Sequence, residues 1–392
     1  MNMRTPVFVL ALAVAASATP VAAQQTVSDV LSFLLTNRSI PTGDFVQDAR
    51  AAAATRDTIS TFLLVELATL PVTSSASAFT YRLDGNLGVV VRSSDSFGPF
   101  LVERSLTTGR LRGSLAVSYQ AASFDTIDGR SLKDGTLVAT ASRLRGDAQP
   151  FDVEAISLDI HTKTMTILGN IGVTDRLDIG AALPIVTLSL NGSRVDTYRG
   201  TELVQAIGSA SASGAGDFLI RGKYNLLRRT GSGLAIGGEA RLPTGNEQNL
   251  LGTGEASIKP RFIASLERDR IAVHGDVGYA IGGLSKELDY GGAITVLGTP
   301  RFTLVGEIAG RRLSSAGRLT ETTEPHPTLV GVDTIRLTSV ERATGRMVGL
   351  VGFKWNIAAT VLLSANVMRP LTSAGLNARW MSTFALDYSF QP

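Results

Sequence analysis

The sequence contains no cysteine and only three histidines, His161, His274 and His326. The absence of cysteine excludes a disulfide-stabilised scaffold and any thiolate metal site. Three histidines make a histidine-rich metal site implausible, and the acidic residues of the N-terminal part lack the spacing of a calcium-binding loop. We therefore expect neither a metal nor a cofactor.

Long apolar runs are missing as well. Beyond the N-terminus, no stretch reaches the roughly 18 apolar residues that a membrane-spanning helix requires. Yet only 18% of the residues are charged, and the mean hydropathy is +0.18. A β-barrel resolves this conflict, because it distributes its lipid-facing residues over many short strands. The 40 glycines fit this interpretation, since strongly curved strands use glycine.

The N-terminus has the features of a secretory signal peptide. Arg4 precedes the apolar run Val7–Ala16, and the small residues Val21–Ala23 come directly before Gln24. A basic region, an apolar region and a small-residue cleavage site follow one another in such signals. We expect residues 1–23 to be removed on export, so that the mature chain starts at Gln24. A buried core helix over Val7–Ala16 is the alternative.

The charge balance gives no sign of a nucleic-acid partner. The formal net charge is +3 and falls to +2 when Arg4 leaves with the signal peptide, because no other charged residue precedes Gln24. The sequence pI of 9.2 reflects this small surplus of basic residues. The sequence shows no clustered basic stripe of the kind that binds nucleic acid.

Residues 24–105 differ from the rest of the chain and are predicted to contain two helices. The first covers Val27–Asn37 and the second Asp44–Leu70. Within the second, Asp57 or Thr58 can cap the apolar C-terminal part. That part carries more apolar surface than a free helix should expose, so we expect it to be buried against another surface.

A short hairpin follows the helices, because Thr80–Leu83 and Gly88–Val91 flank the turn sequence Asp84–Asn86. The N-terminal section is interpreted as a plug folded into a barrel or as a small periplasmic segment. A loosely ordered leader is the alternative for its first residues. As a plug, the section would pack into or under the barrel beside the periplasmic opening, where it would gate passage.

The last predicted strand shows the clearest alternation of side chains. One face carries Trp380, Ser382, Phe384, Leu386, Tyr388 and Phe390. The other carries Arg379, Thr383, Asp387 and Ser389. Successive side chains of a strand point to opposite faces, so this pattern suits a strand between lipid and a polar lumen. An aromatic-rich closing strand resembles the C-terminal signal of bacterial outer-membrane barrels.

The same alternation predicts about twelve strands. They lie near residues 111–122, 153–171, 177–190, 216–227, 233–243, 254–266, 270–281, 289–297, 301–312, 346–355, 358–368 and 376–390. Tight turns alternate with longer loops at about 123–152, 191–215, 244–253, 282–288, 313–345 and 369–375. Short periplasmic turns and long external loops are the arrangement of an up-and-down barrel.

The predicted fold class is therefore all-β, a transmembrane up-and-down antiparallel β-barrel of about 12 strands with an N-terminal helical segment. Residues 1–23 form the signal peptide, 24–105 the helical segment and 106–392 the outer-membrane barrel. A soluble β-sandwich is the alternative, but it would bury its apolar face against a second sheet.

Polar residues on the predicted inner face are candidates for lining the lumen. They are Asp159, His161, Lys163, Asp217, Arg221, Lys223, Glu239, Arg241, Glu255, Lys259, Arg261, His274, Asp276, Arg301, Glu307, Arg311 and Arg379. Opposite charges on neighbouring strands can pair across the ladder. Such pairs would nearly fill a barrel narrower than the 16-stranded porins. The expected aromatic girdles are Tyr119, Phe218, Tyr279 and Trp380 toward the outside, and Tyr224, Phe302, Trp355 and Phe390 toward the periplasm.

Several short segments stand in a recognisable order. They are Gly172–Val186 (GVTDRLDIGAALPIV), Gly214–Asp217 (GAGD), Lys223–Tyr224, Leu242–Gly245 (LPTG), Gly252–Gly254 (GTG) and Gly278–Tyr279. This order, over roughly residues 165–290, resembles outer-membrane transporters of the phenol meta-pathway family. The resemblance implies a barrel that moves hydrophobic or aromatic compounds inward. The N-terminal section and the loops near 123–152 and 313–345 have no counterpart in it.

Two glycine-containing segments and two histidines are candidates for sites of chemistry. A phosphate-binding loop connects a strand to a helix and is followed by a lysine. Leu242–Gly245 and Gly214–Gly216 have neither feature, so they are interpreted as bends at strand ends. A lipid hydrolase would need serine and histidine together on the lipid-facing side. His161 and His274 are both predicted on the inner face beside carboxylates, so we expect no catalytic residue.

The function predicted from these observations is a passive outer-membrane channel for uptake of small hydrophobic or aromatic solutes, and not an enzyme. Its partners would be the lipid bilayer, the outer-membrane barrel assembly machinery and a small-molecule solute of unknown identity, with no nucleic acid. Two alternatives stay open. One is a structural or surface-interaction barrel that transports nothing, and the other is an outer-membrane lipid hydrolase.

Overall fold

The computed structural model describes residues 25–36, 44–69, 78–83, 90–229 and 232–390. The predicted signal peptide and the predicted hairpin turn Asp84–Asn86 lie outside these ranges.

Two helices precede the barrel, close to their predicted positions. Helix α1 spans Val27–Leu35 and helix α2 spans Phe45–Thr69. A capping box starts α1: the Asp29 N–H donates to Thr26 Oγ1 and the Thr26 N–H donates to the Asp29 carboxylate, each at 3.1 Å. In the part of the chain that the structure describes, no helix is both long and apolar enough to cross a bilayer.

Helix α2 starts well upstream of the predicted cap. Asp44 Oδ1 accepts a hydrogen bond from the Gln47 N–H at 3.0 Å, which is the geometry of an N-cap. The predicted cap at Asp57 or Thr58 is wrong, because both residues lie inside one continuous helix of 25 residues. Thr58 Oγ1 instead donates a hydrogen bond to Ser339 Oγ at 2.6 Å. This bond connects the helix to the strand Val332–Val340.

Nineteen strands occur in the described residues. They are β1 (Tyr81–Leu83), β2 (Val90–Arg92), β3 (Arg112–Ile127), β4 (Arg130–Ser131), β5 (Leu137–Leu144), β6 (Asp152–Gly172), β7 (Leu177–Tyr198), β8 (Thr201–Ala215), β9 (Phe218–Arg228), β10 (Gly233–Leu242), β11 (Ser257–Arg268), β12 (Ile271–Gly282), β13 (Glu287–Thr299), β14 (Phe302–Leu313), β15 (Arg318–Pro325), β16 (Val332–Val340), β17 (Thr344–Ala358), β18 (Val361–Pro370) and β19 (Leu376–Phe390). Strands β1 and β2 pair as a separate hairpin, as predicted.

Twelve of these strands close into one antiparallel barrel. Their order around the barrel is β3, β6, β7, β9, β10, β11, β12, β13, β14, β17, β18 and β19. The last strand closes on the first, with Phe390 opposite Gly113. A Cβ at Gly113 would stand 2.6 Å from the Phe390 ring, so any other residue here would have to displace that ring. The predicted up-and-down barrel is confirmed, and each predicted strand overlaps one of the twelve.

The same sheet extends the barrel wall beyond the membrane, and we call this extension the external sheet. Its order is β15, β16, β5, β6, β7 and β8. The prediction of loops throughout 123–152, 191–215 and 313–345 is therefore wrong. The strand β8 escaped prediction because its run Ser209–Ala215 alternates serine with alanine and glycine and lacks bulky apolar residues.

The outer face of the barrel carries an apolar belt. On β19 the exposed residues are Trp380, Phe384, Leu386, Tyr388 and Phe390, and the buried ones between them are Met381, Thr383, Ala385, Asp387 and Ser389. From Phe390 to Trp380 the strand rises ~33 Å, which a tilt of about 40° reduces to ~25 Å along the membrane normal. That is the height of the apolar band in outer-membrane barrels. The predicted girdle aromatics are exposed or half-buried on this face.

Both helices lie inside the external half of the barrel. Helix α1 packs on β7 and β8, where Leu34 approaches Gly192 so closely that a Cβ there would stand 2.5 Å from the Leu34 side chain. Helix α2 packs mainly on β16. For these two helices, the expected position beside the periplasmic opening is wrong.

The helices and the external sheet share one apolar core. Its buried members include Leu31, Leu34, Phe62, Leu63, Phe124, Leu158, Leu188 and Leu337. Full burial of such a side chain stabilises the folded state by about 1.5–3 kcal/mol. The external half of the lumen is therefore filled by apolar packing.

An arginine in the middle of the belt should destabilise the inserted barrel. We expect Leu386→Arg to lower the free energy of unfolding in phospholipid vesicles by about 2–4 kcal/mol, because the guanidinium would lie near the bilayer midplane. Ser211→Arg, on the exposed face of β8 above the belt, is the matched control and should cost about 1 kcal/mol or less. Urea titration monitored by tryptophan fluorescence measures both, and equal costs would contradict the position of the belt.

Candidate functional site

A chain segment without extended secondary structure fills the periplasmic half of the lumen. This luminal strap, residues 97–108, leads into β3, and side chains of the wall bind its backbone. Glu307 of β14 accepts hydrogen bonds from three successive N–H groups, those of Phe100, Leu101 (2.8 Å) and Val102 (3.1 Å). Hydrogen bonds to an ionised carboxylate are stronger than those between neutral groups, so this contact anchors the strap.

Two more wall carboxylates accept hydrogen bonds from the strap. Asp276 of β12 accepts the Glu103 N–H at 2.8 Å. Asp178 of β7 accepts the N–H of Thr108 at 2.8 Å and its hydroxyl at 3.1 Å. The strap is thus bound to strands on several sides of the barrel.

Donors on the wall satisfy the carbonyl groups of the strap. Lys354 of β17 donates to the Pro99 carbonyl at 2.9 Å and lies 4.5 Å from the centre of the Phe100 ring. Asn225 of β9 donates to the Ser105 carbonyl at 2.6 Å. Buried backbone groups need such partners, because an unpaired polar group in the interior costs free energy.

The strap also contributes charged side chains of its own. Glu103 lies 3.4 Å from Arg221 and 3.5 Å from Lys223, both on β9. Arg104 is fully buried and donates to the backbone carbonyls of Ser96 (3.2 Å) and Ala78 (2.6 Å). These contacts tie the strap to the wall on one side and to the segment around the β1–β2 hairpin on the other.

Above the strap, cations and carboxylates alternate across β11, β12 and β13. Lys259 pairs with Glu287 (2.9 Å) and with Asp289. Arg261 pairs with Asp276 (2.7 Å) and with Asp289 (3.3 Å). These side chains are at most 19% exposed, so water screens the pairs less than it would on an open surface.

The C-terminal half of α2 closes the top of this charged wall. Arg311 lies 3.5 Å from Glu287 and donates to the Val65 carbonyl at 3.2 Å. Glu66 forms an ion pair with Arg346 of β17, and each of these side chains is 6% exposed. Removing one partner of a buried ion pair leaves an uncompensated charge, so the pair holds the helix end in place.

Three cavities follow one another along the charged wall. The central cavity, of about 140 Å³, lies between the end of α2 and the strap. A second, of about 50 Å³, reaches the external loop at 282–285, and a third, of about 30 Å³, lies beside Glu103 of the strap. Glu239 lines all three, so they lie next to one another in a row along this wall, which we call the path.

The central cavity has a charged side and an apolar side. Its charged lining comprises Arg241, Lys259, Arg261, Arg311, Arg346, Glu66, Glu239, Asp276 and Asp289. Its apolar lining includes Leu101, Val102, Val348, Met368 and Met381. Five cations and four carboxylates belong to this lining, and a fifth carboxylate, Glu287, pairs with Lys259 and Arg311 just outside it. The cavity therefore has an apolar surface opposite a set of paired charges.

Eleven predicted lumen residues lie on the inner face of the wall or at its external rim. They are Asp217, Arg221, Lys223, Glu239, Arg241, Lys259, Arg261, His274, Asp276, Glu307 and Arg311. The strap and the ion pairs engage most of them. Any role of these residues toward a solute stays a prediction.

The other six predicted lumen residues lie elsewhere, and this part of the prediction is wrong. They are Asp159, His161, Lys163, Glu255, Arg301 and Arg379. The first three alternate with buried residues of β6 and so lie on its outer face. The other three are exposed: Glu255 in the loop before β11, Arg301 in the turn before β14, and Arg379 where β19 shifts register.

The error on β6 has a physical cause. In the external part of this strand the apolar residues Ile156, Leu158 and Ile160 are buried in the shared core with the helices. The rule that apolar residues of a barrel strand face outward holds only where lipid surrounds the barrel. Beyond the membrane the apolar face turns inward, and the polar face meets water.

The outer position of His161 removes one argument against a lipid hydrolase. His161 Nε2 lies 2.9 Å from Asp159 Oδ2, and Ser123 stands opposite His161 on β3. The Ser123 hydroxyl, however, accepts a hydrogen bond from Lys133 at 3.3 Å, so its oxygen is engaged by a cation and not by a base. Across the described ranges, no three metal-binding side chains form a group that could hold a metal ion.

Several important wall residues were missed. Asp289 and Lys354 lie on the inner face of predicted strands, and the period of two along those strands could have found them. Glu287 lies in the predicted loop 282–288, so its place at the start of β13 was not predicted. Glu66 gave no such signal, because its partner Arg346 is 280 positions away in the sequence. The strap showed no periodicity at all, since its contacts run from backbone groups to wall side chains.

A protein-family model matches residues 146–296, and its description is "Putative MetA-pathway of phenol degradation". The match confirms the predicted family resemblance. The matched region contains β6 to β12 and most of β13, and therefore a large share of the charged wall. No curated protein sequence matches this chain.

Solved structures of outer-membrane barrels resemble the fold at low sequence identity. An outer membrane channel from Pseudomonas putida F1 is 13% identical, with 73% of this chain and 98% of that chain covered and a TM-score of 0.49. The KdgM porin in complex with disordered oligogalacturonate is 9% identical, with 61% and 98% covered and a TM-score of 0.35. The translocator domain of the autotransporter NalP from Neisseria meningitidis is 10% identical, with 72% and 89% covered and a TM-score of 0.33.

Neutralising the main anchor of the strap should loosen it locally. We expect Glu307→Gln to speed hydrogen exchange of the Phe100, Leu101 and Val102 amides by on the order of tenfold or more, because a neutral amide accepts these bonds more weakly. Exchange followed by mass spectrometry in micelles measures the effect. Glu321→Gln makes the same chemical change on an exposed carboxylate and should leave these amides unaffected. Unchanged exchange in both variants would show that Glu307 does not hold the strap.

Proposed function

We propose that this outer-membrane barrel is a passive channel for small organic solutes that combine an apolar or aromatic body with an anionic group. The N-terminal segment holds the channel closed. The observation that carries the proposal is the row of three neighbouring cavities, which lies along the charged wall between the external loop at 282–285 and the strap.

The strap and helix α2 are bound to the wall by different contacts, and this difference favours α2 as the part that moves. The strap is bound through its backbone by Glu307, Lys354 and other wall side chains. Helix α2 is held on its polar side by the Glu66–Arg346 pair, the Arg311 contact and the hydroxyl contact of Thr58. A shift of the helix end would widen the central cavity toward the outside while the strap stays in place.

The chemistry of the central cavity supports the solute class. Met368, Met381 and Val348 offer an apolar surface, and methionine adapts to irregular or aromatic shapes. Five cations and four carboxylates line the cavity itself, and this local balance favours an anionic group over a cationic one. The family description refers to phenol degradation, which is consistent with aromatic solutes.

The external sheet favours a second candidate function, that of a surface-interaction barrel without transport. Six strands extend beyond the membrane, and an open cleft between β15–β16 and the turn at Asp128 is lined by Arg130, Arg318 and Arg342. Such a surface could bind an external partner. Transport measurements distinguish the two functions, because the surface role requires no permeation.

A disulfide lock on α2 tests the channel proposal directly. The hydroxyl oxygens of Thr58 and Ser339 lie 2.6 Å apart, and the natural chain has no cysteine, so T58C/S339C adds one defined disulfide. Uptake of benzoate into vesicles should be at least roughly tenfold slower with the oxidised protein than with the reduced one, since the lock removes the open state. The single variant T58C should not respond to oxidation. If neither redox state admits benzoate or any other compound, the surface role replaces the channel.

Selectivity gives a second test of the same site. We expect Lys259→Gln to reduce the preference for benzoate over benzylamine by about fivefold, because one cation near the path contributes about 1 kcal/mol. Lys286→Gln removes an exposed external lysine directly before Glu287 and should leave the preference unchanged. Parallel uptake of benzoate, benzylamine and glucose measures the preference. Equal uptake of all three by the natural protein would contradict the solute class.

A further inference from the structure

The upper edge of the apolar belt carries a group of outward-facing cations on one side of the barrel. We call it the headgroup patch, and it consists of Lys133, His161, Lys163, Arg369, Arg379 and Trp380. Lys163, Arg369, Arg379 and Trp380 are exposed. The patch lies on the outside of the barrel and is separate from the path through the lumen.

The strand pairings bring these residues together on neighbouring strands. Ala121 lies opposite Lys163 on one side and opposite Ser382 on the other, and Ser382 lies opposite Val367. The row therefore crosses β6, β3, β19 and β18, four adjacent strands that together span ~15 Å. Trp380 and Arg369 stand one outward position above this row.

The height is that of the outer polar interface of the membrane. The belt ends at Trp380, ~25 Å above Phe390. On β6 the last apolar outward residue is Met165, directly below Lys163, and on β18 it is Val367, directly below Arg369. Cations just beyond the hydrocarbon region meet the headgroups of the outer leaflet.

The local charge is positive after the acids of the patch are counted. Asp125 and Asp159 lie 3.1 and 3.3 Å from Lys133, which bridges them. Four cations, Lys133, Lys163, Arg369 and Arg379, stand against these two carboxylates. An excess of two positive charges remains.

Trp380 contacts Arg369 within the patch. The Arg369 guanidinium carbon lies 5.3 Å from the centre of the Trp380 ring, a cation–π distance. Tryptophan is favoured at the membrane interface, where its ring contacts apolar chains and its polar edge meets headgroups. The contact keeps the guanidinium at the level of lipid phosphates.

We propose that the headgroup patch binds a phosphorylated lipid of the outer leaflet. Its phosphate groups lie along the patch, between Lys163 on β6 and Arg369 and Arg379 on β18 and β19, where the cations donate charge-assisted hydrogen bonds. The acyl chains lie along the belt below, beside Met165 and Phe384. A lipid fits better than free phosphate, because the patch lies on a convex surface directly above the belt that acyl chains cover.

Binding of diphosphorylated lipid A to the full-length protein in neutral micelles tests the proposal. The variant K163Q/R369Q/R379Q should bind on the order of 100-fold more weakly, since each surface cation contributes about a fivefold effect. The control R268Q/R270Q/R301Q removes the same charge from exposed turns at the periplasmic end and should bind like the natural protein. Heat-modifiable migration on a gel confirms that each variant is folded. If the triple variant does not fold, R369Q alone should weaken binding about fivefold.

Three results would overturn the assignment. An equal loss in both triple variants would show a general effect of net charge. Equal binding of phosphatidylcholine would show that the anionic phosphates are not recognised. Displacement of the lipid by inorganic phosphate at constant ionic strength would show a free-phosphate site instead of a lipid site.

Discussion

The luminal strap places backbone N–H and C=O groups where no strand can pair with them, and this constraint shapes the rest of the lumen. A buried polar group without a partner costs free energy, so the wall must supply partners from side chains. Glu307, Asp276 and Asp178 accept from N–H groups of the strap, while Lys354 and Asn225 donate to its carbonyls. Many of the charges of the lumen therefore anchor the chain, and only part of the charged wall faces open space.

Apolar and polar surfaces exchange sides along the height of the barrel. In the membrane the apolar side chains face lipid and the inner face is polar. Beyond the membrane the inner face becomes apolar, because α1 and α2 pack there, and the outer face becomes polar because it meets water. The two halves of the N-terminal segment are accordingly held by different forces, with hydrophobic burial above and hydrogen bonds below. The C-terminal end of α2 lies between these two regions and borders the central cavity through Glu66.

The central cavity lies at that junction and combines both kinds of surface. Its charged side belongs to the ladder of ion pairs on β10 to β14, and its apolar side to β17, β18, β19 and the strap. Paired charges hold the wall rigid and leave little net charge, so the proposed solute would be selected by its shape and apolar surface as much as by its charge. Outside the barrel, the headgroup patch has four cations against two carboxylates. This excess of positive charge suits binding of the proposed anionic lipid headgroup.

The sequence by itself determined the twelve barrel strands, the two helices, the outward belt of β19 and the inner position of residues such as Arg221, Lys259 and Asp276. It could do so because a period of two along each strand, with lipid on one side, leaves a clear pattern. Only the tertiary structure decided that the helices enter the external half, that Asp159, His161 and Lys163 face outward, and that Glu66 meets Arg346. The reason is that these outcomes depend on what fills the inside of the wall. A strand pattern records that two faces differ in polarity, but it does not record whether lipid, water or another part of the same chain covers each face.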